Sequence, residues 1–460
     1  MITKPITVKS LVPAVNRVLD LAGRKVLALD RAWDVSRGTP VFTVDGVYTS
    51  RGWTEWTQGF QYGLALLAFD GNGEKKLLEL GRKRTVERMT PHLTHIGVHD
   101  HGFNNLSTYG NLRRLMLEGR IARNDWELAY YELAIKASGA VQAARWSPVA
   151  AAPGTELPLG YVYSFNGPHS LFIDTMRTMR IVGLSHKLGH VLMGENDRRI
   201  SLLQRVVIHG LTTKQFNLYA GTGRDAYDLR GRTAHEAIFN CNDGRFRCPS
   251  SQQGYSPFST WTRGLAWAML GFAELAEFLA TIDEAEFKNA GTPKKAEVLK
   301  QFIQAATDTC DFYIQHATAS DGIPYWDTGA PELHKLGDWQ SRPADPYNPH
   351  EPVDSSAAAI AAQGLLRLGN ILGKKGTRYT QAGLTVAQSL FAEPYLSTSP
   401  THQGLLLHSV YHRPNGWDHV PPGAQIPCGE SSLWGDYHGL ELAVHLQRLA
   451  SGKPYLTFFA

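Results

Sequence analysis

Twelve segments with helical periodicity constrain this chain more than any other feature. They lie at 8–27, 55–70, 74–91, 105–119, 124–145, 169–187, 194–212, 258–281, 293–317, 353–371, 376–392 and 431–450. In most of them apolar residues recur at three- and four-residue spacing, which puts them on one helical face. Clusters of Gly, Pro and Asn separate the segments. Helices with one apolar stripe bury it against other helices, so an all-α architecture is expected. Only 213–250 breaks the pattern. It is rich in Gly, Asp, Arg and Thr, and reads as a small β-hairpin insertion. No Ser- or Gly-rich linker divides the chain, so a single domain over 1–460 is expected. The longest irregular stretch is read at 319–352, with repeated Pro, Asp and Trp; loops of that length usually carry function.

The segment 258–281 indicates how the helices are arranged. Phe258, Leu265, Met269, Phe272, Leu275 and Leu279 form one stripe. Arg263 and Trp267, four apart, share a different face. At about 100° per residue that face lies about 200° from Leu265. An apolar stripe opposite an Arg–Trp pair fits an inner helix of a double-layered helical barrel, one face on outer helices and one toward a lumen. A buried helix with one snorkelling Arg reads equally well from this segment alone. Twelve helices in alternating layers make six hairpins.

Composition narrows the function classes. The formal net charge of +4 over 460 residues gives no footprint for nucleic acid, yet suits a small anionic substrate. No run of about 18 apolar residues offers a membrane span. The N-terminal residues show no signal-peptide pattern, so a cytoplasmic location is expected. The cysteines, at 241, 248, 310 and 428, match no CxxC metal pattern, and free thiols are expected. Walker A, GxSxG and dinucleotide motifs are missing, which leaves phosphate, esterase and Rossmann chemistry without support.

Two aspartates are the candidate catalytic groups. VHDHGF (98–103) sets Asp100 between His99 and His101. It reads as a catalytic carboxylate, a solvated polar loop, or a metal site; consecutive residues point in different directions, which disfavours the metal. Asp174 lies in SLFIDTMRTM, in what reads as the first turn of a helix capped by Ser170. Among Phe172, Ile173, Met176 and Met179 its carboxyl would be desolvated and its pKa raised, as a general acid near neutral pH requires. Against this, a helix N-terminus favours the anion, and Arg177 at i+3 could pair with it. Asp354 or Ser355 reads as an N-cap and Asp436 as a core hydrogen-bonding group.

The order of several segments resembles the unsaturated glucuronyl hydrolases of glycoside hydrolase family 88. They are WTQGF (56–60), HDHGF (99–103), SGAVQAARW (138–146), FID-x-M (172–176), QGYSPFSTWTRGLAW (253–267), DSSAAAIAAQGLLRL (354–368) and WGDY (434–437). The resemblance implies an (α/α)6 barrel. It implies hydrolysis of lyase-generated disaccharides or short oligosaccharides that carry a 4,5-unsaturated uronic acid at the non-reducing end. The family chemistry is vinyl-ether hydration: an acid protonates C4, water adds at C5, and the hemiketal opens and expels the remaining sugar. It implies no cofactor and no metal. By position, Asp174 matches the family's acid/base and Asp100 its assisting aspartate. His235, Gln253, Arg263 and Trp267 match positions around the unsaturated uronate, and Trp56 a tryptophan of the subsite wall. An ionised Asp100 would raise the pKa of Asp174, while His99 and His101 would position the loop and hold no metal. The chain departs from the family at Gln61, His101, Phe165, Arg177, Thr178 and Leu265.

Three other readings compete. An unsaturated rhamnogalacturonyl hydrolase would share the chemistry and differ in substrate. A sugar epimerase or isomerase on the same barrel would rely on histidine bases. An oligosaccharide-binding protein without activity would not need both aspartates.

Overall fold

A computed structural model describes the chain except for residues 2–4, 53–54, 151–156, 456 and 460. The expected helices are present, with shifted ends. They are α1 (Val12–Ala32), α2 (Gln58–Asn72), α3 (Lys75–Arg88), α4 (His101–Asn105 and Asn111–Leu117, joined by a π-helical turn), α5 (Asp125–Ala144) and α6 (Thr175–Thr178 and Arg180–Lys187). They continue as α7 (Leu202–Phe216), α8 (Thr262–Ala280), α9 (Lys295–Phe312), α10 (Ser355–Leu372), α11 (Thr377–Leu390) and α12 (Leu433–Ala450). Among the described residues no helix is long and apolar enough to cross a membrane.

The even-numbered helices close a ring. α2 packs on α4, α4 on α6, α6 on α8, α8 on α10, α10 on α12, and α12 on α2. The odd-numbered helices lie outside: α1 and α3 on α2, α5 and α7 on α6, α9 on α8, and α11 on α10. This is the expected (α/α)6 barrel, six hairpins each running outer to inner. The layering follows from burial. α2, α10 and α12 are buried around most of their circumference, whereas α3 buries only Leu77, Gly81 and Thr85. A helix apolar all round must sit inside; an amphipathic one can face water.

Glycines let the ring close. A Cβ on Gly59 (α2) would stand 2.3 Å from the Asn104 backbone (α4), and one on Gly102 (α4) 2.2 Å from the Thr178 carbonyl (α6). On Gly271 (α8) it would meet the Met176 backbone (α6) at 2.6 Å, and on Gly364 (α10) the Leu270 backbone (α8) at 2.9 Å. Gly435 (α12) would meet Ser356 (α10) at 3.1 Å, and Gly63 (α2) the Tyr437 ring (α12) at 2.7 Å. Every seam of the inner ring therefore has a position where a methyl group does not fit without movement.

The strands are short and antiparallel. The expected insertion is real but larger: Glu236–Phe239 pairs with Phe246–Ser250, and Ser170–Phe172 adds a third strand. Ser170 therefore caps no helix. It lies in a strand, and α6 begins only at Thr175. Phe258 also leaves the expected stripe, because α8 starts at Thr262 and Phe258 lies 67% exposed before it. Leu265, Met269, Phe272, Leu275 and Leu279 are buried as expected.

Deep in the lumen, four inner helices meet in an ion network. Arg177 binds Glu274 and, at 3.0 Å, Glu441. Arg180 lies 3.7 Å from Glu274 and 3.9 Å from Glu441. Arg367 reaches Glu274 at 3.4 Å and Glu277 at 2.7 Å. Burial alone would raise the Glu441 pKa, but Arg177 and Arg180 outweigh it and hold it near about 2. Arg177 thus does not pair with Asp174, as expected from their spacing: it turns down the lumen to glutamates 97 and 264 residues away.

Candidate active site

The inner helices present their N-terminal ends to one mouth. Trp56 precedes α2, Asp100 and Phe103 begin α4, Asp174 precedes α6, and Arg263 and Trp267 lie in the first turns of α8. All of them line one cavity of about 530 Å³. Asp354 caps α10, accepting from the Ser356 and Ala357 amides, and binds Arg263; Trp434 in α12 stacks on Trp56 at 5.1 Å. Six helix dipoles thus direct their positive ends at the mouth, a field that favours anions there. A second hollow of about 520 Å³ lies on the outside, beside Leu211, Lys214 and Val298, and none of the candidate residues line it.

Asp100 and Asp174 face each other across His99. The imidazole Nε2 stands 3.6 Å from Asp174 Oδ2 and 3.8 Å from Asp100 Oδ1, with His99 and the two carboxylates almost fully buried. These are ion-pair separations, longer than hydrogen bonds. Neither ring nitrogen of His99 has a hydrogen-bond partner, nor has Asp174 Oδ1. Burial pushes the His99 pKa down, but Asp100 and Asp174 outweigh it, so the net shift is upward. For Asp174, burial works upward and His99 outweighs it, leaving the carboxyl below its ordinary value. Asp100 is raised, by burial first and by Asp174 next. The expected polarity of the pair is therefore reversed. The apolar surround of Asp174 is present, but the imidazole beside it decides the sign.

The two histidines of VHDHGF do different work. His101 Nε2 donates to the His95 carbonyl at 3.0 Å, and Nδ1 accepts from Ser138 at 2.7 Å. Burial holds its pKa near about 3, so it is neutral and fixes the loop, as expected. His99 points instead into the cavity. The triplet does not converge on one point. Among the described residues, His and carboxylate ligands close enough to share an ion occur at Asp45, His419 and Glu430, outside the cavity wall.

Arg263 is already committed. Its guanidinium binds Asp354 at 2.9 Å, the Tyr411 carbonyl at 2.7 Å, the Val410 carbonyl and Gln253 Oε1 at 3.2 Å. It braces the wall as much as it offers a charge to a sugar. Gln253, with its oxygen on Arg263, keeps its amide NH2 for the cavity. His235 does not line the cavity. It lies behind it, wedged between Phe172 at 4.4 Å and Trp261 at 4.8 Å, with Nδ1 accepting from the Gln252 and Gln253 amides at 3.0 and 3.3 Å. Those bonds place its proton on Nε2, which has no partner. Phe165 completes the wall beside His99, their rings 6.0 Å apart.

One wall escaped sequence reasoning. Tyr411, His412, Asn415 and Trp417 line the cavity from the irregular stretch between α11 and α12. That stretch, 391–432, is longer than 319–352, which contributes nothing to the lining. The 319–352 loop acts one step back: Asp327 accepts from the Tyr255 amide at 2.9 Å and so holds the loop that carries Gln253. The Asp418 carboxylate accepts from the Tyr411 and His412 amides and closes the wall segment on itself. A dense run of His, Pro, Gly and Trp was the available signal.

With this geometry in view, known proteins can be compared. The chain is 24% identical over 411 residues to the unsaturated glucuronyl hydrolase of Bacillus sp. (strain GL1), covering 87% of this chain and 89% of that protein. It is also 24% identical over 420 residues to the unsaturated chondroitin disaccharide hydrolase of Streptococcus agalactiae serotype III (strain NEM316), covering 88% and 85%. The chain is similar to unsaturated glucuronyl hydrolases along most of its length. The crystal structure of the Bacillus sp. GL1 unsaturated glucuronyl hydrolase superposes with a TM-score of 0.66 at 20% identity, over 94% of this chain and 96% of that one. An unsaturated glucuronyl hydrolase specific for heparin superposes at 0.69 and 19% identity, over 96% and 98%. These superpositions establish the fold. No protein-family model matches the chain.

Proposed function

We propose that the protein is an unsaturated glucuronyl hydrolase. It removes a 4,5-unsaturated uronic acid from the non-reducing end of lyase-generated disaccharides or short oligosaccharides. One observation carries this reading: two buried carboxylates face each other across an imidazole in a Trp-walled cavity lined from the N-terminal ends of four inner helices. The named relatives support it, including two whose names specify unsaturated chondroitin disaccharides. That weighs toward glycosaminoglycan products over pectin products.

In this reading Asp174 gives a proton to C4. The C4=C5 π electrons form the new C–H bond, and the positive charge is shared by C5 and the ring oxygen. Water adds to C5 and returns a proton to the carboxylate. The hemiketal then opens, and the remaining sugar leaves from C1. Asp100 orients the water and balances charge. Trp56 and Trp267 flank the ring, and the Gln253 amide and the dipoles at the mouth take the uronate, with Arg263 and His235 holding that wall. The whole chain, 1–460, acts as one catalytic domain, without a metal or cofactor.

The test is a panel of substrates. Unsaturated disaccharides should lose the ultraviolet absorbance of the conjugated double bond. Unsaturated thioglycosides should also be turned over, because the glycosidic atom is not protonated in the committed step. Turnover of saturated glucuronides with inert unsaturated thioglycosides would show an ordinary glycosidase and overturn the reading.

A further inference from the structure

Acid catalysis at C4 needs a proton, and the geometry around Asp174 raises the question of where that proton is kept. His99 lies 1% exposed, with Nε2 between two carboxylate oxygens at 3.6 and 3.8 Å and no hydrogen bond to either ring nitrogen. A buried imidazole left without partners is costly unless its charge is used. The groups that face it are few. Asp100 and Asp174 favour its charge and Arg145 opposes it; His209 and His235, neighbours on other elements, are both held below the ordinary histidine range by burial. His209 accepts from the Val162 amide and His235 from the Gln252 and Gln253 amides, which fixes each as a neutral bystander.

We propose that His99 is the proton store of the acid pair: a positioning residue that stands as an imidazolium between Asp100 and Asp174 and lends its Nε2 proton to Asp174 Oδ2 for the attack on C4. The proposal rests on the hydrolase reading for the identity of the acceptor carbon. The transfer breaks the Nε2–H bond and forms an O–H bond, and both charges vanish. Asp174 then passes the proton to C4, where it stays as the new C–H bond; the water that adds at C5 gives a proton of its own to Asp174, and that proton moves on to Nε2. Before and after each turnover the two groups hold one proton between them, so the pair titrates as a unit. This resolves an otherwise awkward finding. An acid held below its usual pKa is empty at neutral pH, whereas a neighbouring imidazolium held above its own keeps the proton available. The basic limb of kcat/KM then reports loss of the His99 proton and lies above the ordinary histidine range.

The test uses the full-length enzyme and two readouts. In His99→Gln the basic limb should move to lower pH by about one unit or more, with kcat at pH 8 falling at least about tenfold. Asp100→Asn removes a carboxylate that holds the imidazolium and should move the limb the same way. His99→Asn serves as the second variant should Gln fail to fold, as judged by its melting curve. Independently of any substrate, nuclear magnetic resonance of 15N-histidine-labelled protein, with His99 assigned by its loss in His99→Gln, should show both ring nitrogens protonated at pH 6.5. A neutral His99 at that pH overturns the proposal. So does a basic limb that stays in place in His99→Gln with rate lost equally at all pH values. If no unsaturated uronide is turned over while His99 is found charged, the hydrolase reading falls, and with it the transfer to C4, but not the imidazolium between the two aspartates.

Discussion

At the floor of the lumen three arginines and three glutamates neutralise one another, and each has an opposite charge within 4 Å. At the mouth, at the starts of α4 and α6, two carboxylates share a single imidazole at 3.6–3.8 Å, and the imidazole nitrogens and an Asp174 oxygen go unbonded. Both regions bury ionisable groups at the same general cost. The floor meets much of that cost with three opposite charges for three, although Glu441 Oε1 and the Nε atoms of Arg177 and Arg180 lack a hydrogen bond, and its ion pairs tie four inner helices together. The mouth sets one imidazole against two carboxylates on a cavity wall, where a ligand or a moving proton can relieve the remaining cost. Burial and charge alone would mark both regions as active sites, and each keeps buried polar atoms without a hydrogen bond; what separates them is that the cavity reaches the mouth and not the floor.

Substitutions that cross this divide give the sharpest tests. Asp174→Asn should cost about 10²–10⁴-fold in kcat with a smaller loss of stability than at the floor, since Asp100 still faces His99 when the Asp174 charge is gone. Turnover within a few-fold of wild type would remove Asp174 from the mechanism. Glu441→Gln, at the floor, should do the opposite. It leaves Arg177 and Arg180 short of an anion and should cost about 3–5 kcal/mol of unfolding free energy, with near-normal turnover per folded molecule. Equal losses of stability and turnover in both variants would erase the distinction.

Arg263→Ala sits between the two regions. It strips Asp354 of its buried partner and opens the wall, so KM should rise and stability fall together, the latter by about 3 kcal/mol. A rise in KM without loss of stability would show that Arg263 serves the ligand alone. The acid side of the stability curve isolates the floor again. Glu441 is held near about 2, below its ordinary value, so its contribution is full above the unfolded carboxyl range and is lost as pH falls through that range toward 2. Melting temperature measured from pH 6 to 2 should fall less steeply in Glu441→Gln than in wild type. The smallest effect expected is none: exhaustive chelation should leave the rate unchanged. A loss restored by one added divalent ion would point to Asp45, His419 and Glu430, the grouping with suitable ligand spacing.

Much of this was legible in the chain. The inner helices announce themselves by burying residues on all sides, and six Gly- or Pro-punctuated hairpins follow from their number. Trp56 and Gln253 came from the resemblance of short motifs to a known family, and Asp100, Asp174, Arg263 and Trp267 from that resemblance together with their own neighbours; all six line the one cavity. The errors share one physical origin. The partner of Arg177 was sought one helical turn away at Asp174, and it lies at Glu274 and Glu441. The sign of the Asp174 shift was drawn from its apolar neighbours, and an imidazole 75 positions earlier reverses it. Ser170 pairs with Ile238 across a sheet that no local pattern around 170 announces. Local periodicity reports which face is apolar. It does not report which of several distant charges will arrive opposite a given side chain.

The glycine seams carry a consequence for how finely the mouth is dimensioned. Gly102 lies two residues beyond Asp100, and the backbone it touches, Thr178, lies four beyond Asp174. The gap between the two carboxylates is thus gauged by a bare backbone contact, with no side chain in between whose rotamer could take up slack. The same holds at Gly59, Gly271 and Gly364, so the arc from α2 through α4, α6 and α8 to α10 is set by four such spacings, while Gly435 and Gly63 meet the Ser356 and Tyr437 side chains. In machining terms that arc has no shim: an added methyl at one of its four seams cannot be taken up by a rotamer and must push the neighbouring helices apart. A shift of a few tenths of an ångström at Gly364, on the far side of the ring, would then be read out as a change in the separation that His99 has to span.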